Sequence, residues 1–249
     1  MKDDSRERDS GRKLNIAAVV LAGGRGTRME SDIPKQYMAI DGYPVLYYSL
    51  KAFENSSVDT VAVVCGKGEV SYCKREIVDK YHLSKVKFIV EGGEERYHSV
   101  FNGLKVVSDS DYVLIHDGAR PFITEGIISD NISAVVEKRA CVTGVPSKDT
   151  VKIADGKMAV ASTPPRENVW IVQTPQTFET SLIYNAYEKL LKEGTVHEEG
   201  TVHVTDDAMV IEKVYDLPVY FVMGDYKNIK ITTPEDLLIA QAFLSQETI

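Results

Sequence analysis

Cysteine, tryptophan and long apolar runs are scarce in this chain. The three cysteines, Cys65, Cys73 and Cys141, are odd in number, lack metal-ligand spacing and mostly sit in apolar stretches. Free buried thiols in a reducing cytoplasm are therefore expected, and no disulfide framework. No apolar run approaches the ~20 residues needed to cross a bilayer, and no secretory apolar core opens the chain. Positive charge is not in excess: 29 Lys and Arg stand against 37 Asp and Glu, a net charge of −8. Broad binding to nucleic acid or to an anionic membrane is thereby excluded as a partner class, because both need a basic face. A local basic pocket is not excluded. Two nucleotide-binding signatures are absent as well. No Gly-Lys-Ser/Thr follows the glycines after the first apolar run, so there is no P-loop. The position where a dinucleotide fingerprint needs its third glycine is Met29.

What is present begins with Asn15 to Leu21, a short apolar run rich in β-branched residues. Such a run suits a strand buried on both faces of a sheet. It breaks at Gly23, Gly24 and Gly26, where the backbone can turn sharply and its N–H groups can approach a ligand. Successive N–H groups in such a turn form an anion-binding hollow. Arg25, Arg28 and Lys35 place three positive charges within eleven residues of the same stretch. Strand, bare turn and cations together suggest a polyphosphate cradle; the turn alone is weaker evidence, since an ordinary strand-to-helix loop also has this form.

Further along, Val45 to Glu54 has helical spacing and Thr60 to Cys65 reads as a strand. Val70 to Tyr81 is expected to be helical, Lys87 to Val90 a strand and Tyr97 to Val107 a helix. Tyr112 to His116 is a buried strand. Thr124 to Lys138 is a helix capped by Thr124, and Ala140 to Val145 is a strand. This alternation predicts an α/β protein, with a mostly parallel sheet and helices on both faces. Ligands of such sheets lie beyond the carboxyl ends of the strands. The 23–36 turn, Gly92 to Ser99 and His116 to Pro121 all fall there. About residues 146–178 the pattern changes to short alternating runs with an Asp155-Gly156 hairpin signal, which reads as a β-rich arm or lid. Helices over Glu179 to Glu193 and Asp206 to Val214 follow. A strand over Leu217 to Met223 comes next, then a closing helix from Thr233 with Pro234 at its first position. Residues 1–13, almost wholly polar, are expected to be a disordered tail, leaving 14–249 as a single domain. The near-doubled unit Gly194 to His203 carries His197 and His203; a surface loop explains them as well as a metal site does.

Taken in order, LAGGRGTRM with Pro34-Lys35-Gln36, GGEERYHSV (92–100), HDGARPF (116–122), TPQTF (174–178), TDD (205–207) and NIKITTPEDL (228–237) resemble the 2-C-methyl-D-erythritol 4-phosphate cytidylyltransferase family. The ribitol 5-phosphate cytidylyltransferases share most of these motifs and are the alternative. The resemblance implies a Rossmann-like nucleotidyltransferase fold with a protruding β-arm. It implies transfer of a cytidylyl group from CTP to a polyol phosphate in isoprenoid precursor synthesis, with Mg²⁺ or another divalent cation. It also implies a cytoplasmic homodimer joined through the arm.

By the same resemblance Arg28, Lys35, Arg166 and Lys230 are the catalytic residues. Ala22, Gly23, Gly24, Gly26, Gly93, Glu94, Ser99, Asp117 and Gly118 would bind CTP. Asp117, Arg120, Thr150, Thr174, Thr205 and Thr232 would bind the polyol phosphate, with Asp117 also a possible metal ligand. His116 reads as an oriented structural histidine rather than a base. Two departures from the family pattern, Ala22-Gly23-Gly24 where Ala-Ala-Gly is usual and Thr27 where a basic residue is usual, remove no group the chemistry needs.

Overall fold

A computed structural model describes residues 12–24, 29, 33–192 and 204–247. Arg28, Gly26 and the 194–203 unit lie outside the described residues. Strand β1 (Ile16–Ala22) is an interior strand of a seven-stranded sheet. Its alternation sends Ala18, Val20 and Ala22 to one face and Ala17 and Val19 to the other, each 2% exposed or less. That two-sided burial is what its unbroken apolar run requires. It pairs in parallel with β4 (Thr60–Cys65) and β6 (Tyr112–Asp117), which are apolar runs of the same kind. Between β1 and β4, β2 (Ala39–Ile40) and β3 (Tyr43–Pro44) make a small separate hairpin.

The remaining strands are β5 (Val86–Glu91), β7 (Ala140–Pro146), β10 (Trp170–Glu179) and β11 (Tyr220–Met223). They complete the order β11-β7-β10-β6-β1-β4-β5. Every pairing is parallel except those of β10, which runs antiparallel to both neighbours.

Helix α1 (Val45–Asn55), the short α2 (Val70–Cys73) with its π-helical continuation to Asp79, and α4 (Glu125–Lys138) cover one face. Helices α3 (Arg96–Val106), α5 (Thr180–Lys192) and α6 (Asp207–Tyr215) cover the other. The Thr124 hydroxyl accepts from the Ile127 N–H at 3.2 Å, the cap its sequence position called for. The closing helix α7 (Pro234–Glu247) starts just after Thr233, and its entry is fastened by Asp236. One Asp236 oxygen accepts from the N–H and hydroxyl of Thr232 and from the Thr233 N–H, at 2.8, 2.8 and 2.9 Å. All three cysteines are buried and unbridged.

Two boundaries differ from expectation. The excursion beyond β7 is shorter than 146–178: it holds the exposed hairpin of β8 (Ile153–Ala154) and β9 (Val160–Ser162) and ends where β10 re-enters the sheet at Trp170. The polar stretch Gln173 to Thr177 reads as arm in sequence, yet it lies in the middle of the sheet. There Asn131 and neighbouring side chains supply its hydrogen bonds. At the amino end, Arg12 and Lys13 are tied to the sheet by ion pairs to Asp111 and Asp59 at 3.2 and 2.6 Å.

Candidate active site

The strands β1, β4, β5 and β6 all end on one edge, and the unusual loops begin there. From β1 the chain passes through Ala22 and Gly23 to the exposed Gly24. From β5 it passes through Gly92 and Gly93, whose N–H donates to the Ser99 hydroxyl at 3.1 Å. A side chain at Gly93 would meet the His98 Cβ at 2.3 Å, so only glycine lets this turn fold back on α3. Glu94 is exposed beside it. From β6 it passes through Asp117 to Gly118, whose N–H donates to the Leu21 carbonyl at 2.9 Å and locks the β6 exit onto β1.

Asp117 is the centre of the edge. One carboxylate oxygen lies 2.8 Å from Lys230 Nζ and 3.9 Å from Arg120 Nε. The other lies 3.8 Å from Arg96 Nη2. Burial alone would raise its pKa, but Arg96, Lys230 and Arg120 together outweigh that and hold the carboxyl well below the usual range. It is a carboxylate at any working pH. Arg120 donates to the Asn228 carbonyl at 2.8 Å, while its buried Nε has no hydrogen-bond partner among the described residues.

Two devices hold this cluster. The first is an irregularity in β10. Val172 opposes Gly144 and Gln176 opposes Val142, so three residues, Gln173 to Pro175, face the single Thr143. Such bulges re-aim side chains. The Thr174 hydroxyl accepts from the Asp117 N–H at 3.1 Å and meets His116 Nδ1 at 3.0 Å. Gln173 donates to the Asp225 carbonyl at 2.8 Å, and the Asn228 amide donates to the Thr174 carbonyl at 3.0 Å. The bulge thereby seats the 225–232 segment that carries Lys230 and Thr232. The second device is Lys35, whose ammonium donates to the Ile231 carbonyl at 2.9 Å. It joins the loop after β1 to that same segment.

His116 is fully buried, and burial lowers its pKa to about 4. Its Nε2 faces the Arg120 carbonyl at 3.3 Å. That acceptor fixes the neutral tautomer: Nε2 carries the proton and Nδ1 accepts from the Thr174 hydroxyl. Both nitrogens are occupied in holding the turn.

The structure thus brings together Lys35, Asp117, Gly118, Arg120, Thr174, Lys230 and Thr232, with Ala22, Gly23, Gly24, Gly93 and Ser99 on the same edge. It does not bring Thr150 and Arg166 to this cluster. Thr150 is exposed on the arm, and Arg166 donates there to the Lys148 carbonyl at 3.5 Å. Thr205 is exposed just ahead of α6.

Sequence reasoning passed over Arg96, Asp207, Gln176 and Asn228. Arg96 and Asp207 lie inside quoted motifs, but their pairing spans 111 residues and leaves no local signal. No group of three or more His, Cys, Asp or Glu side chains suited to a metal occurs among the described residues. Asp117 is a poor direct ligand, since three cationic side chains already face its oxygens within 3.9 Å.

Residues 16–246 match the family model of 2-C-methyl-D-erythritol 4-phosphate cytidylyltransferase. The chain is similar to the protein of that name from Lachnoclostridium phytofermentans, with 52% identity over 231 residues, 93% of this chain and 97% of the relative. It is 46% identical over 233 residues to that of Caldanaerobacter subterraneus, covering 93% and 99% of the two chains. Among solved structures it resembles the 4-diphosphocytidyl-2C-methyl-D-erythritol synthase of Anaerococcus prevotii, with a TM-score of 0.81, 38% identity and coverage of 93% and 96%.

Proposed function

The chain belongs to the 2-C-methyl-D-erythritol 4-phosphate cytidylyltransferase family, and from that premise we propose that it transfers a cytidylyl group from CTP to 2-C-methyl-D-erythritol 4-phosphate. The products are 4-diphosphocytidyl-2-C-methyl-D-erythritol and pyrophosphate, on the route to isoprenoid precursors that does not use mevalonate. The observation that carries this reading is the convergence on one sheet edge of a bare glycine turn, Lys35, and a carboxylate ringed by Arg96, Arg120 and Lys230.

The chemistry follows from the charges. A phosphate monoester has a second pKa of ~6, so the acceptor is already mostly a dianion at neutral pH. One of its oxygens attacks the α-phosphorus of CTP. The new P–O bond forms as the bond to the β-bridging oxygen breaks, and pyrophosphate leaves with that electron pair. No proton is taken from the nucleophile, so no base is required. The only described histidine at the centre of the site is buried, neutral and doubly hydrogen-bonded. The task left to the protein is to hold two anions together and to stabilise charge gathering on the α-phosphate and leaving group.

We assign Arg28 and Lys35 to the α-phosphate, and the N–H groups around Gly24 and Gly26 to the triphosphate. Gly93, Glu94 and Ser99 are assigned to the pyrimidine and ribose. Arg120 and Lys230 suit the acceptor phosphate: the first has an orphan buried N–H, the second is a half-exposed ammonium. Thr174, Thr205 and Thr232 are assigned to the polyol.

Mg²⁺ or another divalent cation is proposed to enter with CTP, held by triphosphate oxygens rather than by Asp117. It would neutralise charge on the phosphates.

A homodimer is proposed because the arm has no core of its own. Every residue of β8 and β9 is exposed, and Met158 and Val160 are 88% and 64% exposed. A partner's surface would cover them and receive Arg166 and Thr150. Cytoplasmic location is proposed too; among the described residues no helix is long and apolar enough to cross a membrane.

The test is pyrophosphate release from CTP with 2-C-methyl-D-erythritol 4-phosphate beside D-ribitol 5-phosphate. Turnover with the first and little with the second is expected. The reverse preference would transfer the protein to the ribitol enzymes.

A further inference from the structure

We propose that Arg96 is a positioning residue for the acceptor half of the site: clamped by Asp207, it carries part of the Asp117 charge and so leaves Lys230 and Arg120 able to turn to an incoming phosphate. The clamp is built with care. Arg96 donates through both terminal nitrogens to the two oxygens of Asp207, at 2.8 and 2.7 Å. Asp207 is fully buried at the start of α6, and Tyr187, also fully buried, donates its hydroxyl to one of the same oxygens. Gln176 fixes the start of that helix, accepting from the N–H groups of Asp207 and Ala208 at 2.9 and 2.8 Å. A guanidinium forked in this way has its orientation set by its partner, not by solvent.

From that fixed seat Arg96 looks at one oxygen of Asp117, 3.8 Å away, while Lys230 and Arg120 look at the other. The division matters because Lys230 is both the tightest partner of Asp117 and a cation assigned to the acceptor phosphate. An anion entering the site competes with Asp117 for it. With Arg96 compensating Asp117 from the far side, the competition tilts towards the ligand. Without it, the carboxylate draws Lys230 and Arg120 onto itself. Asp207 in turn keeps Arg96 from collapsing fully onto Asp117 or onto the phosphates.

The inference rests on the cytidylyltransfer reading only for the identity of the acceptor. Arg96→Gln alone would leave the buried Asp207 unpaired and could unfold the protein. The experiment therefore uses the double variant Arg96→Gln/Asp207→Asn, which removes one charge of each sign and leaves the net charge unchanged. Melting temperature establishes that it is folded. Inorganic phosphate is then titrated calorimetrically into wild type and variant, each saturated with CTP. CTP affinity is measured separately, and steady-state KM values for both substrates are taken alongside.

Phosphate affinity and the KM for the polyol phosphate are expected to worsen about tenfold, with CTP affinity within twofold. In an Asp117→Asn background the same pair of substitutions should have no further effect on phosphate. Equal weakening of CTP and phosphate, unchanged phosphate binding in a folded variant, or an undiminished effect in the Asp117→Asn background would each overturn the proposal. A wild-type protein that binds phosphate but releases no pyrophosphate would overturn the functional reading instead, and the phosphate titration would still decide the role of Arg96.

Discussion

Lys35 reaches a carbonyl 196 residues away in the chain, and that contact places a cation between the glycine turn and the segment carrying Lys230. Removing one preorganised donor of this kind costs ~10² to 10³ in turnover. Lys35→Ala is expected to keep its melting temperature within a few degrees and to lose kcat on that scale, measured by pyrophosphate release. A folded Lys35→Ala variant with near-native turnover would remove Lys35 from the mechanism.

His116 makes a second residue-scale prediction. Its folded pKa of about 4 lies below the ordinary value of 6.5. The unfolded chain therefore binds the extra proton first as the pH falls. The stability linked to this group is whole above about pH 6.5, declines towards pH 4 and is constant below. A depression of this size is worth roughly 3 kcal/mol. Urea unfolding should become easier between pH 7 and pH 4.5, and His116→Asn should flatten that slope while lowering stability at pH 7. An unchanged slope in the variant would assign the acid sensitivity to other groups. At this scale the sequence offered residue types but not partners. Asp117, Arg120 and Lys230 could be named from their motifs. Their shared carboxylate, and the Arg96–Asp207 fork behind it, arise from folding contacts with no local pattern.

At the scale of elements, strands with a continuous apolar run were legible from that run alone, as with β1, β4, β6 and β7. Strand β10 was not. Its central residues Gln173, Thr174, Gln176 and Thr177 are all 5% exposed or less, yet polar. They tolerate burial because each finds hydrogen bonds, several of them to functional loops. Polarity there reflects the strand's part in the site, and its short alternating pattern reads as part of a β-rich arm. Helix α7 offers a prediction of the same scale. Asp236 holds the backbone of Thr232 and Thr233 at its start. Loss of such a clasp costs ~1 kcal/mol. Asp236→Ala should lower urea stability by about that amount and reduce turnover severalfold by freeing Thr232. Asp236→Asn, which keeps one acceptor oxygen, should do less of both. Full turnover in the alanine variant would show that Thr232 needs no such anchor.

For the molecule as a whole, a net charge of −8 coexists with an edge rich in cations. The acidic balance therefore describes the surface at large and not the pocket, which the sequence could suggest only through its clustered basic residues. The arm is the other whole-molecule feature. Two strands of two and three residues, every one of them exposed, cannot stand alone in water. If a second copy covers them and takes Arg166 into its site, specific activity should fall as the protein is diluted through its dimer dissociation range. Sedimentation and turnover measured over the same concentrations should change together. A monomer with undiminished turnover would restrict the site to one chain.

The return of the chain from β9 into β10 also sets how far its length can vary. Residues added at the tip, near Asp155 to Met158, would lengthen a hairpin that no sheet residue depends on. One residue added or deleted between Val172 and Gln176 would rotate Thr174 away from Asp117 and strip the 225–232 segment of its support. So far as the sheet is concerned, the same excursion passes from a tip whose length is free to a stretch where spacing is fixed to the single residue.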